Sequence, residues 1–276
     1  MALRALLWDV DGTMVDSEEL HRRAFNLAFA EAGLDWSWSR EEYARLLAVA
    51  GGKERMRHFA DARMKAGISE AMPDIAALHR SKTSFYTRLL DEGAAPLRPG
   101  VARLMREASA CGLRQAIVTT TSLANVRALQ ARLLSGVLES WDVEVTGESV
   151  LSKKPAPDAY LLALEQLGLR ASDCLALEDS GLGISSARLA GVPTLVTRSQ
   201  YTTDDDFCGA LAILDHLGEP ELPCHKLFGP PMTGDYVNLE LLEQWHMHLR
   251  EQREHGRTPT NSRLHIPHVA RQVDGK

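Results

Sequence analysis

The feature that most constrains this chain is a short apolar run near its beginning that ends in two acidic residues. The run is LLWDVDGT at positions 6–13, and it places Asp9 and Asp11 two positions apart, directly before Gly12 and Thr13. An apolar run that ends at a turn sequence predicts a buried strand followed by a loop. Because ligands bind at the carboxyl ends of strands in open α/β sheets, we expect both aspartates to lie at the mouth of a binding site.

Two carboxylates so close together repel each other unless one carries a proton or a cation lies between them. Mg²⁺ suits such a place because it takes oxygen ligands and keeps several of its water molecules. The alternative interpretation is an ordinary strand that ends in an Asp-Gly turn, which would carry no chemistry. The residues that follow the other strands of the chain help to decide between the two.

Strand-like and helical stretches alternate through much of the chain. The later strand-like runs cover residues 114–119, 143–145, 174–178, 193–197 and 211–214. Helical patterns separate most of these runs. This alternation predicts an α/β fold with a doubly wound, parallel, Rossmann-like sheet and right-handed crossovers.

The region between the first two predicted strands has a different sequence pattern. Residues 15–92 contain helical patterns and no convincing strand, so we expect an all-helical cap inserted into an α/β core formed by residues 1–14 and 93–217. Prolines then mark residues 218–276 as an irregular C-terminal extension. The extension contains one amphipathic helix, because apolar residues recur there at helical spacing.

Five histidines lie near the C-terminal end of the chain. They are His246, His248, His255, His265 and His268. A metal site needs several ligands at fixed geometry, and the sequence shows no such set here. We therefore expect these histidines to be solvated or to pack against neighbours.

Composition and charge exclude several classes of protein. The formal net charge of −6 argues against a nucleic-acid-binding surface. No apolar run reaches about 18 residues, so we expect no membrane-spanning helix. The first predicted strand leaves no room for a signal peptide, and the four scattered cysteines fit reduced thiols. We expect a cytoplasmic protein, or one in a soluble organelle compartment, that is a monomer or a weak homo-oligomer.

Polar residues follow the later strands as they follow the first one. The sequence TTTS occupies positions 119–122, KKP occupies 153–155, and EDSG occupies 178–181. Each of these could be structural alone, as a helix cap, a surface lysine or a turn. Together they place hydroxyls, an ammonium and several carboxylates at one edge of one sheet, which favours a site for Mg²⁺ and a phosphate.

The motifs DVDGT, TTTS, KPAPD and EDSGLG occur in this order between residues 9 and 183, and they resemble those of the haloacid dehalogenase-like superfamily. The helical cap after the first strand resembles the branch that contains β-phosphoglucomutase and related sugar-phosphate phosphatases. Residues 16–32, GGKER at 51–55, LRPGV at 97–101 and DHLGE at 215–219 resemble the CbbY branch. The resemblance covers about residues 1–220 and assigns no role to the rest.

The resemblance implies a catalytic role for four residues. Asp9 would be the nucleophile that takes up the phosphoryl group as an aspartyl-phosphate. Asp11 would be the general acid and base that protonates the leaving sugar oxygen and then deprotonates the attacking water. Thr119 and Lys154 would bind the oxygens of the phosphoryl group during its transfer.

The resemblance also implies metal ligands and a substrate site. The expected Mg²⁺ ligands are Asp9, Asp11 through its backbone carbonyl, Asp179 and Glu178, the last directly or through another ligand. The residues expected to bind substrate are His21, Lys53, Arg55, Lys82, Thr120, Thr121 and Ser122. The arginine would grip a phosphate with two hydrogen bonds, and the lysines would act as point charges.

The function implied by the resemblance is Mg²⁺-dependent hydrolysis of a small sugar phosphate, preferably xylulose 1,5-bisphosphate or a similar pentulose bisphosphate. One alternative is a phosphotransferase like β-phosphoglucomutase, and Lys53 and Lys82 could serve either reaction. A second alternative is a non-catalytic sugar-phosphate-binding protein. A binding protein has no use for a nucleophile beside an acid, so Asp9 and Asp11 argue against it.

Overall fold

A seven-stranded sheet forms the centre of the fold in the computed structural model, which describes residues 2–68, 71–93 and 95–254. The strands are β1 (Ala5–Trp8), β2 (Arg114–Val118), β3 (Val143–Val145), β4 (Cys174–Glu178), β5 (Thr194–Thr197), β6 (Ala212–Leu214) and β7 (Lys226–Phe228). Their order is β3-β2-β1-β4-β5-β6-β7, and every neighbouring pair is parallel except β6 and β7. The predicted α/β, Rossmann-like fold is therefore confirmed.

Helices cover the sheet and fill the segment between its first two strands. In the described ranges they are α1 (Glu18–Glu31), α2 (Arg40–Leu46), α3 (Gly52–Lys65), α4 (Ile75–Asp91), α5 (Val101–Ala110), α6 (Leu123–Leu133), α7 (Asp158–Leu167), α8 (Gly181–Leu189) and α9 (Leu239–Glu254), with a 3₁₀ turn at Ala171–Asp173. None of those helices has the length and apolar composition needed to span a membrane.

Helices α1 to α4, the first four after β1, share an aromatic core of their own. Phe25 and Phe29 on α1 contact Trp38 in the loop before α2, with ring centroids 4.7 and 4.9 Å apart. Tyr43 on α2 joins the same buried cluster. These contacts fit a helical cap. The division of the chain at residues 14, 93 and 217 stays a prediction.

The central strand β1 is buried on both faces, which explains why its sequence is a continuous apolar run. Leu6 and Trp8 belong to the core on one side of the sheet, and Ala5 and Leu7 belong to the core on the other side. Because β1 pairs in register with both β2 and β4, these three strands end at the same level. The residues that follow them are therefore brought together at one edge.

The C-terminal extension is part of the packed structure. β7 adds an antiparallel strand to the sheet, and α9 buries Leu241, Leu242 and Trp245 in the same core as β1. The sequence placed residues 218–276 outside the core, because β7 is only three residues long and lies in a proline-rich segment. The indole nitrogen of Trp245 donates to the carbonyl oxygen of Pro231 over 2.9 Å, which ties α9 to that segment.

Two of the five C-terminal histidines lie within the described residues. His246 is buried, and the ring of His248 lies 2.7 Å from the side-chain amide of Gln252. His255, His265 and His268 lie outside the described residues. The expectation of solvated or packed histidines therefore has support for His246 and His248 only.

We predict that Leu242→Ala lowers the free energy of unfolding by about 2–5 kcal/mol, because the truncation leaves a cavity in the main core. Leu242 is 0% exposed, whereas Met247 on the same helix is 58% exposed. The matched control Met247→Ala should change stability by no more than about 0.5 kcal/mol. Urea unfolding measures both, and equal effects of the two substitutions would show that α9 contributes little to the core.

Candidate active site

The motif residues of three strands meet at the carboxyl edge of the sheet. Asp9 directly follows β1, Thr119 directly follows β2, and Asp179 directly follows β4. Strand pairing continues into this position, because the amide of Asp9 donates to Leu177 and the amide of Thr119 donates to Val145, both over 3.0 Å. The backbone of the candidate nucleophile is therefore fixed by the sheet itself.

A buried ammonium joins two acids at the ends of β1 and β4. Lys154 is 4% exposed, and its Nζ donates to Asp9 Oδ1 over 2.7 Å, to Glu178 Oε1 over 2.6 Å and to the carbonyl oxygen of Val118 over 2.7 Å. Burial alone would lower the pKa of Lys154, but the charges of Asp9 and Glu178 raise it above its ordinary value. Lys154 therefore stays charged and holds both carboxylates.

The acids at this edge outnumber the cation that holds them. Burial, opposed by Lys154 and reinforced by Glu178, raises the pKa of Asp9 to about 7. Burial and the neighbouring charges of Asp9 and Glu178 also raise the pKa of Asp179 well above its ordinary value. The protein's own groups therefore leave this cluster short of positive charge.

The acidic cluster fits a hard cation. Asp9, Glu178 and Asp179 each offer an oxygen, and these oxygens lie within 4.8 Å of one another. Glu178 Oε2 is buried and accepts no hydrogen bond from any residue in the described ranges. Gly12 has a φ of +83°, and a Cβ there would lie 2.0 Å from Asp179 Oδ2, so only glycine leaves room for the carboxylate. All donors are oxygens, as Mg²⁺ prefers.

Asp11 has surroundings quite different from those of Asp9. Its Oδ1 accepts a hydrogen bond of 2.5 Å from Ser17 Oγ and lies 2.8 Å from His21 Nε2. Burial raises the pKa of Asp11, but the charge and hydrogen bond of His21, together with the Ser17 hydroxyl, lower it more and leave it well below its ordinary range. Asp11 is therefore held in its ionised form, whereas the surroundings of Asp9 favour protonation, so the two acids differ in charge before a cation or substrate binds.

Two residues expected to bind substrate form a chain behind Asp11. Lys82 Nζ lies 2.6 Å from His21 Nδ1, and the His21 ring stacks on Tyr86 with centroids 4.2 Å apart. Lys82 is 3% exposed, and burial lowers its pKa to about 7. The two ring nitrogens of His21 therefore link Lys82 to Asp11. Direct contact of either residue with substrate stays a prediction.

A cavity of about 1110 Å³ lies over the acidic cluster. The candidate site residues that line it are Asp9, Asp11, His21, Lys53, Arg55, Lys82, Thr119, Thr120, Thr121, Ser122, Lys154 and Asp179. Ser122 also caps α6, where its Oγ accepts a hydrogen bond from the Asn125 amide. Glu178 lies beneath the cavity rather than in its wall, held by Lys154 and by Tyr160.

Two cationic residues of the cap, Arg55 and Lys53, differ in the hydrogen bonds and ion pairs that they already make. Arg55 donates to the hydroxyl of Tyr43 over 2.9 Å and to the carbonyl oxygen of Leu46 over 3.1 Å. Lys53 makes no hydrogen bond or ion pair with any other residue in the part of the chain that the structure describes. Lys53 is therefore the better placed of the two to receive a new anion.

Comparison with known proteins identifies the family of this chain. A family model of haloacid dehalogenase-like hydrolases matches residues 3–191. The chain belongs to this family. Protein CbbY of Cupriavidus necator is 46% identical over 248 residues, covering 88% of this chain and 97% of that protein, and Protein CbbY of Rhodobacter capsulatus is 49% identical over 211 residues, covering 76% and 92%. The resemblance to the CbbY branch is thus confirmed.

A solved structure gives the same result. A crystal structure of a CbbY variant from Rhodobacter sphaeroides in complex with xylulose-(1,5)bisphosphate has a TM-score of 0.73 and 43% identity, and covers 78% of this chain and 95% of that chain. The family and the relatives indicate that this chain is an enzyme, a phosphatase. The expectation of an enzyme is confirmed.

Sequence reasoning missed several residues that touch the site in this family member. Tyr160 on α7 donates to Glu178 Oε1 over 2.6 Å, and Thr202 Oγ1 lies 3.4 Å from Asp179 Oδ2. The sequence also held no sign that Ser17 donates to Asp11. Tyr160 lies three residues after KPAP on the buried face of a helix, which could have suggested its role. Thr202 lies in an irregular loop with no pattern that could have revealed it.

We predict that Lys82 makes stability depend on pH in the alkaline range. Because its folded pKa is about 7 against an ordinary 10.5, the unfolded chain binds a proton between these values that the folded chain does not. The free energy of unfolding should therefore rise with pH in this window, by at most about 1.4 kcal/mol per pH unit. Lys82→Met should abolish this rise.

Urea unfolding at pH 7, 8 and 9 measures the difference between wild type and Lys82→Met. The matched control is Lys65→Met, because Lys65 is exposed at the end of α3. It should keep the pH dependence of the wild type. Parallel pH profiles for wild type and Lys82→Met would contradict the assignment of a low pKa to Lys82.

Proposed function

We propose that this chain is a Mg²⁺-dependent phosphatase that hydrolyses a small sugar phosphate, preferably xylulose 1,5-bisphosphate, through an aspartyl-phosphate on Asp9. The observation that carries the proposal is the placement of Asp9 and Asp11, each with partners of its own, in the wall of one cavity over the acidic cluster. Asp9 contacts the buried ammonium of Lys154, and Asp11 contacts His21. The complex of a CbbY relative with xylulose-(1,5)bisphosphate supports this substrate.

The metal would be held by the acidic cluster of Asp9, Glu178 and Asp179. When bound, Mg²⁺ would neutralise these carboxylates and the charge of the phosphoryl oxygens. Lys154 would keep Asp9 oriented through its 2.7 Å contact with Oδ1. Thr119 lies beside Asp9 in the wall of the cavity, where its hydroxyl would bind a phosphoryl oxygen.

In the first half of the reaction an Asp9 carboxylate oxygen would attack phosphorus. The new P–O bond forms the aspartyl-phosphate as the bond to the sugar oxygen breaks, and Asp11 would give that oxygen a proton. Because its surroundings favour the ionised form of Asp11, this proton would reach Asp11 through its 2.8 Å contact with His21 Nε2. In the second half Asp11 would take a proton from water, whose oxygen attacks phosphorus, releases inorganic phosphate and restores Asp9.

The cap would bind the second phosphate of a bisphosphate. Lys53 is free to pair with an anion, and Arg55 lies two positions further along α3 in the same cavity wall. The ion pair of 2.8 Å between Lys153 and Glu54 joins the loop after β3 to this part of α3. It would keep the cap over the core while the phosphate that lies at Asp9 is hydrolysed.

We predict efficient phosphate release from xylulose 1,5-bisphosphate. Lys53→Met should raise KM for this bisphosphate about ten- to a hundredfold and change KM for a pentulose monophosphate far less, because one charge-assisted contact is lost. Steady-state phosphate release measures both. The matched control Arg57→Met removes an exposed cation from the same helix and should leave both values unchanged.

The same assay separates the alternatives. Efficient interconversion of β-glucose 1-phosphate and glucose 6-phosphate with negligible phosphate release would show a mutase. Saturable binding of sugar phosphates without either reaction would show a binding protein. Either outcome would refute the proposed phosphatase.

We predict that EDTA abolishes phosphate release and that added Mg²⁺ restores it, because the acidic cluster cannot otherwise face a phosphate dianion. Asp179→Asn should lower the rate and raise the Mg²⁺ concentration needed for half-maximal activity, with an unchanged circular dichroism spectrum. The control Asp61→Asn alters an exposed acid of α3 and should behave as wild type. Full activity in EDTA would contradict the metal site.

A further inference from the structure

Two segments that the sequence singled out remain without a role in the proposed reaction. They are LRPGV at 97–101 and DHLGE at 215–219, more than a hundred positions apart. In the structure they dock on each other. The amide of Gly100 donates to Glu219 Oε1 over 2.9 Å, and Arg103 Nε donates to Glu219 Oε2 over 2.9 Å.

The docked segments hold one buried guanidinium, that of Arg98, which is 7% exposed. Its Nη2 donates to the carbonyl oxygens of Arg198 over 2.7 Å and Asp215 over 2.6 Å. Its Nη1 donates to the carbonyl oxygen of Thr197 over 3.0 Å. Arg98 is thereby fixed against the carboxyl ends of β5 and β6.

The same guanidinium reaches the loop that carries the two catalytic aspartates. Arg98 Nη1 also donates to the carbonyl oxygen of Gly12, the residue directly after Asp11. Arg98 is not among the residues that line the cavity, so it is not placed to contact a substrate bound there. Its contact is with the backbone that orients Asp9 and Asp11.

Arg98 also contacts the outgoing connection between core and cap. Its Nε lies 3.4 Å from Asp16 Oδ1, and its amide donates to the carbonyl oxygen of Met14 over 2.8 Å. Val15 forms an isolated antiparallel bridge with Leu97. The outgoing and returning linkers of the cap therefore run side by side at Arg98.

We propose that Arg98 is a positioning residue that holds two segments against the sheet: the catalytic loop, residues 9–13, and the linker of residues 14–17 that leads into the cap. This inference rests on the proposed function. A cap that moves in each turnover pulls on residues 14–17, which directly follow the catalytic loop. Arg98 ties the catalytic loop and residues 14–17 to the ends of β5 and β6. It thereby keeps Asp9 and Asp11 in place while the cap opens and closes.

The test is Arg98→Lys, which keeps the charge but loses the planar fork that reaches four segments. We expect kcat to fall about ten- to a hundredfold, as for a small misplacement of catalytic groups, with KM changed by no more than about twofold. Hydrogen exchange of amides 10–17 should become at least about fivefold faster, with exchange in β2 and β4 unchanged.

The matched control is Arg114→Lys. Arg114 lies at the start of β2, at the opposite edge of the sheet, and also donates to a backbone carbonyl, that of Leu167. It should change neither kcat nor exchange at 10–17. Wild-type kcat in Arg98→Lys, or exchange at 10–17 no faster than in the control, would overturn the proposal.

A second variant covers the case in which Arg98→Lys does not fold. Asp16 is 53% exposed in its side chain, so Asp16→Asn should be tolerated. Loss of this ion pair should speed exchange at residues 15–17 and lower kcat, each by about two- to fivefold. Wild-type exchange at residues 15–17 together with wild-type kcat in Asp16→Asn would overturn the proposal. Hydrogen exchange needs no substrate, so it tests the role of Arg98 even if the wild-type protein releases no phosphate. A wild-type protein that releases no phosphate would refute only the proposed function.

Discussion

The structure of the site depends on one buried ammonium, that of Lys154, between the carboxylates of Asp9 and Glu178. Removal of one partner from a buried ion pair leaves an uncompensated charge, which is strongly unfavourable. Lys154 therefore ties the ends of β1 and β4 together. It does not neutralise Asp179, whose pKa is raised by burial and by the same two acids. The fold thus holds an excess of negative charge at a place where protons or a further cation are needed to balance it.

Asp9 and Asp11 are two positions apart, yet they belong to different parts of the molecule. The turn at Gly12 follows them, and its positive φ allows the chain to leave the sheet for the cap. Asp9 faces groups of the core, whereas Asp11 contacts Ser17 and His21 at the start of the cap segment. If Asp11 transfers protons as proposed, its contacts with Ser17 and His21 would make that transfer depend on the position of α1 and hence of the cap.

The fold could be predicted from the sequence where the information is local. Apolar runs in the sequence predicted most strands of the sheet. The polar residues after β1, β2 and β4 meet as expected, because parallel strands in register end together. The pairing of His21 with Lys82 could not be predicted, since these residues are 61 positions apart on different helices. The docking of LRPGV on DHLGE and the packing of α9 were missed for the same reason, because both depend on tertiary contacts without a periodic pattern.

On the proposed function, the position of Lys53 gives a physical reason to prefer a substrate with two phosphates. Lys53 belongs to the GGKER segment, whose Glu54 pairs with Lys153 directly beside Lys154. An anion bound at Lys53 would therefore lie beside the ion pair of Glu54 and Lys153, which joins the cap to the core. Binding energy from a phosphate remote from Asp9 can then stabilise the closed arrangement in which Asp11 meets His21. A sugar with a single phosphate lacks that contribution, so it should be disfavoured in the chemical step and not only in binding.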